Sequence, residues 1–136
     1  MAKVIPEIAV SDIQQSLEFY SALGFTRDND GIIDDKGLQW CSLSMEGAAL
    51  WLIREDIVED LDPDEAKGNG VNIYLSVDDV DAIYGKMQAR ATIVKEIETL
   101  WYGLRQFSIV DPDGYLLIIN MPVPQGERSE SAHAHD

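Results

Sequence analysis

The feature that most constrains the fold is an internal repeat with a spacing of 67 residues. At this offset, segment 8–13 aligns with segment 75–80, each an apolar stretch that ends in a polar turn. Without a gap, the same offset aligns segment 39–40 with 106–107 and segment 47–52 with 114–119. One offset that serves blocks so far apart indicates a duplicated unit, although two unrelated strand–helix units with similar turns are the alternative.

The first half has the pattern of a strand, a helix and three further strands. Ser11 is the expected N-cap, with Gln14 completing a capping box, and apolar residues then follow at helical spacing. The helix is expected to end at Leu23-Gly24, and a turn is expected at Glu46-Gly47. Strands are expected at 4–10, 25–27, 38–44 and 48–54.

The second half repeats this order. Apolar residues alternate along 71–77, Asp78 is the expected N-cap with Asp81 in the first helical turn, and segment 111–114 (Asp-Pro-Asp-Gly) favours a turn. Further strands are expected at 91–96, 106–110 and 115–121. The sequence therefore predicts an α+β fold of two βαβββ modules in tandem, at about residues 3–54 and 71–121.

Two polar segments lie outside the modules. Segment 55–65 contains seven acids in eleven residues, so residues 55–70 are expected to form a solvated acidic linker, or else an acidic lip over a cleft. Residues 122–136 have no apolar periodicity and are expected to form a flexible tail. The tail contains both histidines, His133 and His135.

The charge balance excludes several functions. Ten Lys and Arg face 25 Asp and Glu, a formal charge of −15, which argues against nucleic-acid or anionic-membrane partners and would attract cations. There is no apolar run of membrane-spanning length and no signal segment, so a soluble cytoplasmic protein is expected. Cys41 is expected to be buried, and the lack of His before residue 133 argues against histidine-based catalysis.

Three segments are similar to the vicinal oxygen chelate superfamily, which includes glyoxalases, bleomycin resistance proteins and dioxygenases. These are 4–25, 72–87 and 102–120. The last is the most specific, because Tyr-Gly-x-Arg-x-Phe at 102–107 and Asp-Pro-Asp-Gly at 111–114 resemble the bleomycin-resistance-like branch. The resemblance covers about residues 3–121. It implies modules rolled into half-open mixed sheets around a cleft, and a homodimer with modules paired within or between subunits.

The resemblance also defines where a metal would be held. Enzymes of this superfamily, such as glyoxalase I, bind a divalent metal through His, Glu or Gln at four inward strand positions. The matching positions here are Ile5, Trp51, Asn72 and Ile118. Two alkyl groups, an indole and an amide are poor ligands for Zn²⁺, Ni²⁺ or Mn²⁺, so we expect no metal, no cofactor and no catalytic residue at these positions.

The leading hypothesis is therefore a non-catalytic binding protein of the bleomycin-resistance type, with a role in antibiotic resistance. It would hold a cationic or heteroaromatic small molecule in an aromatic cleft at the dimer interface. The candidate ligand-binding residues are Glu7, Trp40, Trp51, Asn72, Tyr74, Trp101, Tyr102 and Ile118.

Each candidate also has a structural interpretation. The strand aromatics would serve equally well as core, Glu7 could form a salt bridge, and Trp101-Tyr102 could belong to the ligand site or the dimer surface. Arg105 is expected to pair with a carboxylate rather than a ligand. The alternative function is a metal-dependent glyoxalase- or dioxygenase-like lyase or transferase, in which Glu7, Asn72 and Asn120 would converge on one ion. A ligand sensor is a third class.

Overall fold

The chain divides between Lys67 and Gly68 into two units that share a strand, a helix and three further strands, and the first unit also contains a small hairpin. The structure, a computed structural model, describes residues 2–62 and 64–124. The predicted tail begins at Pro122, which is instead the last residue of a strand, and Val123 is buried. The rest of the predicted tail beyond residue 124, including His133 and His135, lies outside the described residues. Among the described residues, no helix is long and apolar enough to cross a membrane.

The first unit contains one four-stranded sheet and a small separate hairpin. The sheet has the order β1-β6-β5-β2; β1 runs parallel to β6, and the other neighbours are antiparallel. Strands β3 and β4 form the hairpin. The elements are β1 (Glu7–Val10), α1 (Ile13–Leu23), β2 (Thr26–Asp30), β3 (Ile33–Asp34), β4 (Gly37–Leu38), β5 (Trp40–Met45), β6 (Ala48–Arg54) and a 3₁₀ turn (Glu55–Ile57).

The second unit has the corresponding sheet. Its order is β7-β10-β9-β8, again with one parallel pair, β7 with β10, and antiparallel neighbours elsewhere. The elements are β7 (Asn72–Ser76), α2 (Val80–Met87), β8 (Thr92–Thr99), β9 (Leu104–Val110) and β10 (Leu116–Pro122). The predicted α+β fold of two βαβββ modules is therefore confirmed.

Both helices begin one residue later than the sequence predicts. The α1 N-cap is Asp12, not Ser11, and its carboxylate accepts bonds from the amides of Gln14 and Gln15 at 3.1 and 3.2 Å. The α2 N-cap is Asp79, not Asp78, and accepts from the amide of Ala82 at 3.1 Å. Each cap directly precedes a buried apolar residue, so burial of the first helical position decides which of two adjacent capping residues is used.

Each sheet buries alternate side chains. Along β6 and β10, Leu50, Leu52, Leu117 and Ile119 are almost inaccessible, while the residues between them are half-buried, apart from the buried Asn120. The buried stripes of α1 and α2 supply the other apolar groups. Cys41 lies on the buried face of β5 with no exposed surface, as expected, and this burial raises the pKa of its thiol to about 11.

The repeat contains a one-residue shift that the ungapped alignment misses. Glu7 pairs with Trp51, and Tyr74 pairs with Ile118, so the offset of 67 holds for these strands. In the neighbouring strands Ser42 pairs with Trp51, but Ser108 pairs with Ile118, an offset of 66. The shift arises because the two hairpin turns differ in length. Met45 and Ala48 are the last paired residues before the β5–β6 turn, whereas Val110 and Leu116 are the last paired residues before the longer β9–β10 turn.

This shift changes the counterpart of Trp40. The sequence alignment matches Trp40 with Phe107, but the strand register matches it with Gln106. A shift of one residue moves a side chain to the opposite sheet face. Phe107 is accordingly 1% exposed in the core, whereas Trp40 is half-buried on the other face.

Arg54 at the end of β6 fastens the β3–β4 hairpin. Its guanidinium donates two bonds to the Asp34 carboxylate at 2.7 and 2.6 Å and one to the Gly37 carbonyl at 3.2 Å. It also donates to both oxygens of Asp56 at 2.6 and 3.0 Å. These bonds hold the pKa values of Asp34 and Asp56 below their ordinary range and that of Arg54 above its own.

We expect the Asp34→Asn variant to be less stable than the wild type at neutral pH, with the difference shrinking as the solution is acidified. Asp34 has a lowered pKa in the folded state, so its contribution is complete above the ordinary Asp pKa of 3.8 and disappears as pH falls toward the folded value. Urea unfolding at neutral pH and near pH 3 would measure this.

The matched control is Asp35→Asn, the exposed neighbouring carboxylate. It should leave the urea midpoint close to wild type at both pH values. An Asp34→Asn deficit that is equally large in acid would contradict the ion-pair account.

Candidate functional site

Each sheet presents a second face, opposite the buried one, that carries the residues between the core positions. The first open face includes Glu7, Trp40, Ser42, Trp51 and Ile53 of the first unit. The second open face includes Asn72, Tyr74, Gln106, Ser108, Leu116, Ile118 and Asn120 of the second unit. The strand pleat forces this division, because successive side chains alternate between faces.

The first open face brings together three predicted site residues. Trp40 and Trp51 contact edge to face, with ring centroids 5.1 Å apart and planes at 82°. Glu7 is the register partner of Trp51 across the parallel β1–β6 pair. Both indoles are half-buried and Glu7 is exposed. This arrangement offers two aromatic surfaces beside a carboxylate, which suits a flat ligand that carries positive charge.

The second open face brings together three others. Tyr74 is 62% exposed and pairs with Ile118, and Asn72 pairs with Leu116 one step along the same strands. Tyr74, Leu116 and Ile118 line a depression of about 210 Å³. The depression is completed by side chains of β8 and β9, namely Val94, Lys95, Glu96, Glu98, Gln106, Phe107 and Ser108.

The charged lining of this depression was not predicted. Strand β8 was expected to end at Glu96 but runs to Thr99, and its pairing with β9 shifts between Ile93 and Lys95 and again before Glu98. Such irregularities break the two-residue alternation from which sheet faces are predicted. The run of charged residues in 95–98 was the available signal, but alternation alone could not assign it to a face.

Trp101 and Tyr102 lie in the loop between β8 and β9, as predicted. Their rings meet edge to face with centroids 5.4 Å apart, and they are 38% and 49% exposed. Gly103, at φ 94°, closes the turn by donating its amide to the Leu100 carbonyl at 3.1 Å. Neither aromatic residue is part of the lining of the depression.

Other charged groups have structural partners. Arg105 donates to the Asp81 carboxylate at 2.8 Å and to the Thr99 hydroxyl at 2.8 Å, which confirms its expected pairing. This pairing lowers the pKa of Asp81. A larger cavity of about 510 Å³ in the first unit is lined by Arg54 and Asp56, which bond to each other, together with Lys36, which lies 3.4 Å from Asp56.

The side chains present do not fit a divalent metal. Ile5, Trp51, Asn72 and Ile118 occupy the four positions that the resemblance assigns to ligands, and the first two belong to one unit and the last two to the other. Asn120 accepts a bond from the Ser76 hydroxyl at 2.8 Å. Among residues 2–62 and 64–124, no three His, Cys, Asp or Glu residues cluster so as to hold an ion.

Comparison with known proteins identifies the family. Residues 4–119 match the sequence profile of the Glyoxalase/Bleomycin resistance protein/Dioxygenase superfamily. The comparison with curated proteins gives no match.

Solved structures share the fold. The antibiotic binding protein TnmS3 from Streptomyces sp. CB03234 is 27% identical with a TM-score of 0.68, covering 90% of this chain and 97% of its own. TioX from Micromonospora sp. ML1 is 18% identical with a TM-score of 0.73, covering 90% and 100%. A bleomycin-binding protein crystallised with bleomycin is 21% identical with a TM-score of 0.64, covering 89% and 98%.

We expect the two βαβββ units to retain no stoichiometric metal. The test is elemental analysis of the full-length His133→Ala/His135→Ala variant after incubation with Zn²⁺, Ni²⁺ or Mn²⁺ and desalting. Removing the two histidines excludes adventitious binding at the predicted tail. One ion per chain in this variant would contradict the assignment of the four positions.

Proposed function

Because the chain belongs to the Glyoxalase/Bleomycin resistance protein/Dioxygenase superfamily, we propose that it captures a cationic, heteroaromatic small molecule without transforming it. The observation that carries this proposal is the composition of the two open faces. The first open face sets Trp40 and Trp51 beside Glu7, and the second includes Tyr74 in the same depression as Glu96 and Glu98. Aromatic faces attract flat rings and cations, and carboxylates complement positive charge.

The chemistry of the ligand positions supports capture rather than catalysis. An alkyl group, an indole or an amide at those positions neither activates a water molecule nor polarises a carbonyl as a metal ion does. The groups that line the second open face are instead those that orient a small molecule by contact: aromatic, aliphatic, amide and hydroxyl side chains.

The relatives support the same role. TnmS3 is described as an antibiotic binding protein, and the bleomycin-binding protein was crystallised with its ligand. A role in antibiotic resistance, by stoichiometric capture of a drug, belongs to the proposal for this chain. A cytoplasmic homodimer, with Trp101 and Tyr102 in its ligand site or on its subunit surface, belongs to the same proposal.

The surplus of acid would assist capture at long range. A formal charge of −15 creates a negative potential that raises the encounter rate of a cation, and salt screens it. Seven of the 25 acids lie in segment 55–65, outside the strands of the two open faces, so their charge would steer the ligand rather than contact it.

We expect the protein to bind bleomycin or the smaller cation 9-aminoacridine, with quenching of tryptophan fluorescence and an affinity that weakens as salt is added. Isothermal titration calorimetry and fluorescence titration measure both effects. Mass spectrometry of the recovered probe should show it unchanged. Folded protein that binds neither probe, or that converts the probe to a product, would overturn the proposal.

Trp51→Ala should weaken binding of 9-aminoacridine about tenfold, because it removes an aromatic contact worth about 1–3 kcal/mol. The matched control is Ile32→Ala, which truncates a side chain that is 72% exposed beside the β3–β4 hairpin. Circular dichroism would establish that both variants fold. Equal affinities for the two variants would exclude Trp51 from the ligand site.

A further inference from the structure

We infer that the depression on the second open face holds the positively charged end of the ligand, and that Glu96 and Glu98 determine this selectivity. The inference rests on the proposed function and names residues that the family resemblance does not. The ligand feature it specifies is a protonated amine or an amidinium attached to a flat ring system.

A hydroxyl faces the depression without a partner among the described residues. Ser108 is only 6% exposed and lines the depression, and no hydrogen bond joins its hydroxyl to another described residue. Most polar side chains of buried residues bond to other protein groups, so a hydroxyl that keeps its bonding capacity at a concave surface is available to a ligand atom.

The two carboxylates that line the depression have no bonding partner in the described part of the chain. Glu98 pairs in register with Gln106, and Glu96 lines the same depression; both carboxylates are exposed, and neither forms an ion pair or hydrogen bond with a described residue. The Arg54 cluster differs, since Asp34 and Asp56 are both bonded by the guanidinium. The charges of the Arg54 cluster are therefore bonded to one another, whereas the carboxylates of the depression are exposed to solvent.

An exposed aromatic side chain lines the same depression as these charges. Tyr74 is 62% exposed on β7, one edge strand of the sheet, next to the aliphatic Ile118 and Leu116 of β10. Large apolar surface left in contact with water at a concave site commonly marks a place where another molecule binds. A ring stacked on Tyr74 would occupy the depression whose opposite side, on the edge strand β8, carries the carboxylates.

Lys95 also lines the depression and opposes a cation. Glu96, Glu98 and Lys95 together give the lining a formal charge of −1, so the lining is acidic and Lys95 offsets one of its two negative charges. The proposal therefore predicts effects of opposite sign: removing the carboxylates weakens binding of a cation, and removing Lys95 strengthens it.

Three probes with the same ring system and different charge test the inference at about pH 8: 9-aminoacridine as the cation, acridine as the neutral compound and acridine-9-carboxylate as the anion. The wild type should bind the cation most tightly and the anion most weakly. Glu96→Gln/Glu98→Gln should weaken cation binding about tenfold and change acridine binding less than about twofold. Lys95→Met should strengthen cation binding about threefold.

The matched control for net charge is Glu59→Gln/Glu65→Gln, which removes two exposed carboxylates from the acidic segment. It should shift the affinity for 9-aminoacridine by less than about twofold, since exposed charges at a distance are screened. Circular dichroism and an unchanged affinity for acridine would show that the β8 variants remain folded.

The outcomes separate the two proposals. If folded wild type binds none of the probes and not bleomycin, the proposed function fails, and this inference with it. If the wild type binds the probes but shows no preference for the cation, or if the β8 variants and the control behave alike, the function stands and this inference is overturned.

Discussion

In each unit the helix covers only one face of the four-stranded sheet, and the rest of the structure depends on this arrangement. Leu52 and Ile119 are completely buried, and burial of each side chain stabilises the fold by about 1.5–3 kcal/mol. Their burial determines which residues of β6 and β10 face the core. Strand alternation then directs Trp51 and Ile118 to the opposite face. The core does not need these side chains, so the open faces are available for the ligand site that we propose.

The sequence was sufficient for the architecture because the repeat and the apolar alternation are both local signals. Helix starts were wrong by one residue, since Ser11 and Asp12 are both capable caps and only burial of Ile13 decides between them. Trp40 was aligned with Phe107 because the two hairpins differ in length, and hairpin length is not visible in an ungapped comparison.

The candidate site was predictable only in part for a related reason. Glu7, Trp51, Tyr74 and Ile118 follow from a family resemblance and regular strands, and the structure places them on open faces. Glu96 and Glu98 lie on an irregular edge strand, where alternation fails. The Arg54 cluster joins groups 20 residues apart in the chain, so no local pattern predicts it. The charges of the Arg54 cluster are bonded to one another, and the carboxylates of Glu96 and Glu98 form no bond with another described residue.

The central claim, that ligand binds on the open sheet faces, is tested most directly by amide chemical-shift changes in ¹⁵N-labelled protein titrated with 9-aminoacridine. We expect the largest changes in β7, β8 and β10 around Tyr74, Glu98 and Ile118, together with changes in the indole signals of Trp40 and Trp51. Changes confined to the helices, or to the Arg54 cavity beside the start of α1, would contradict it.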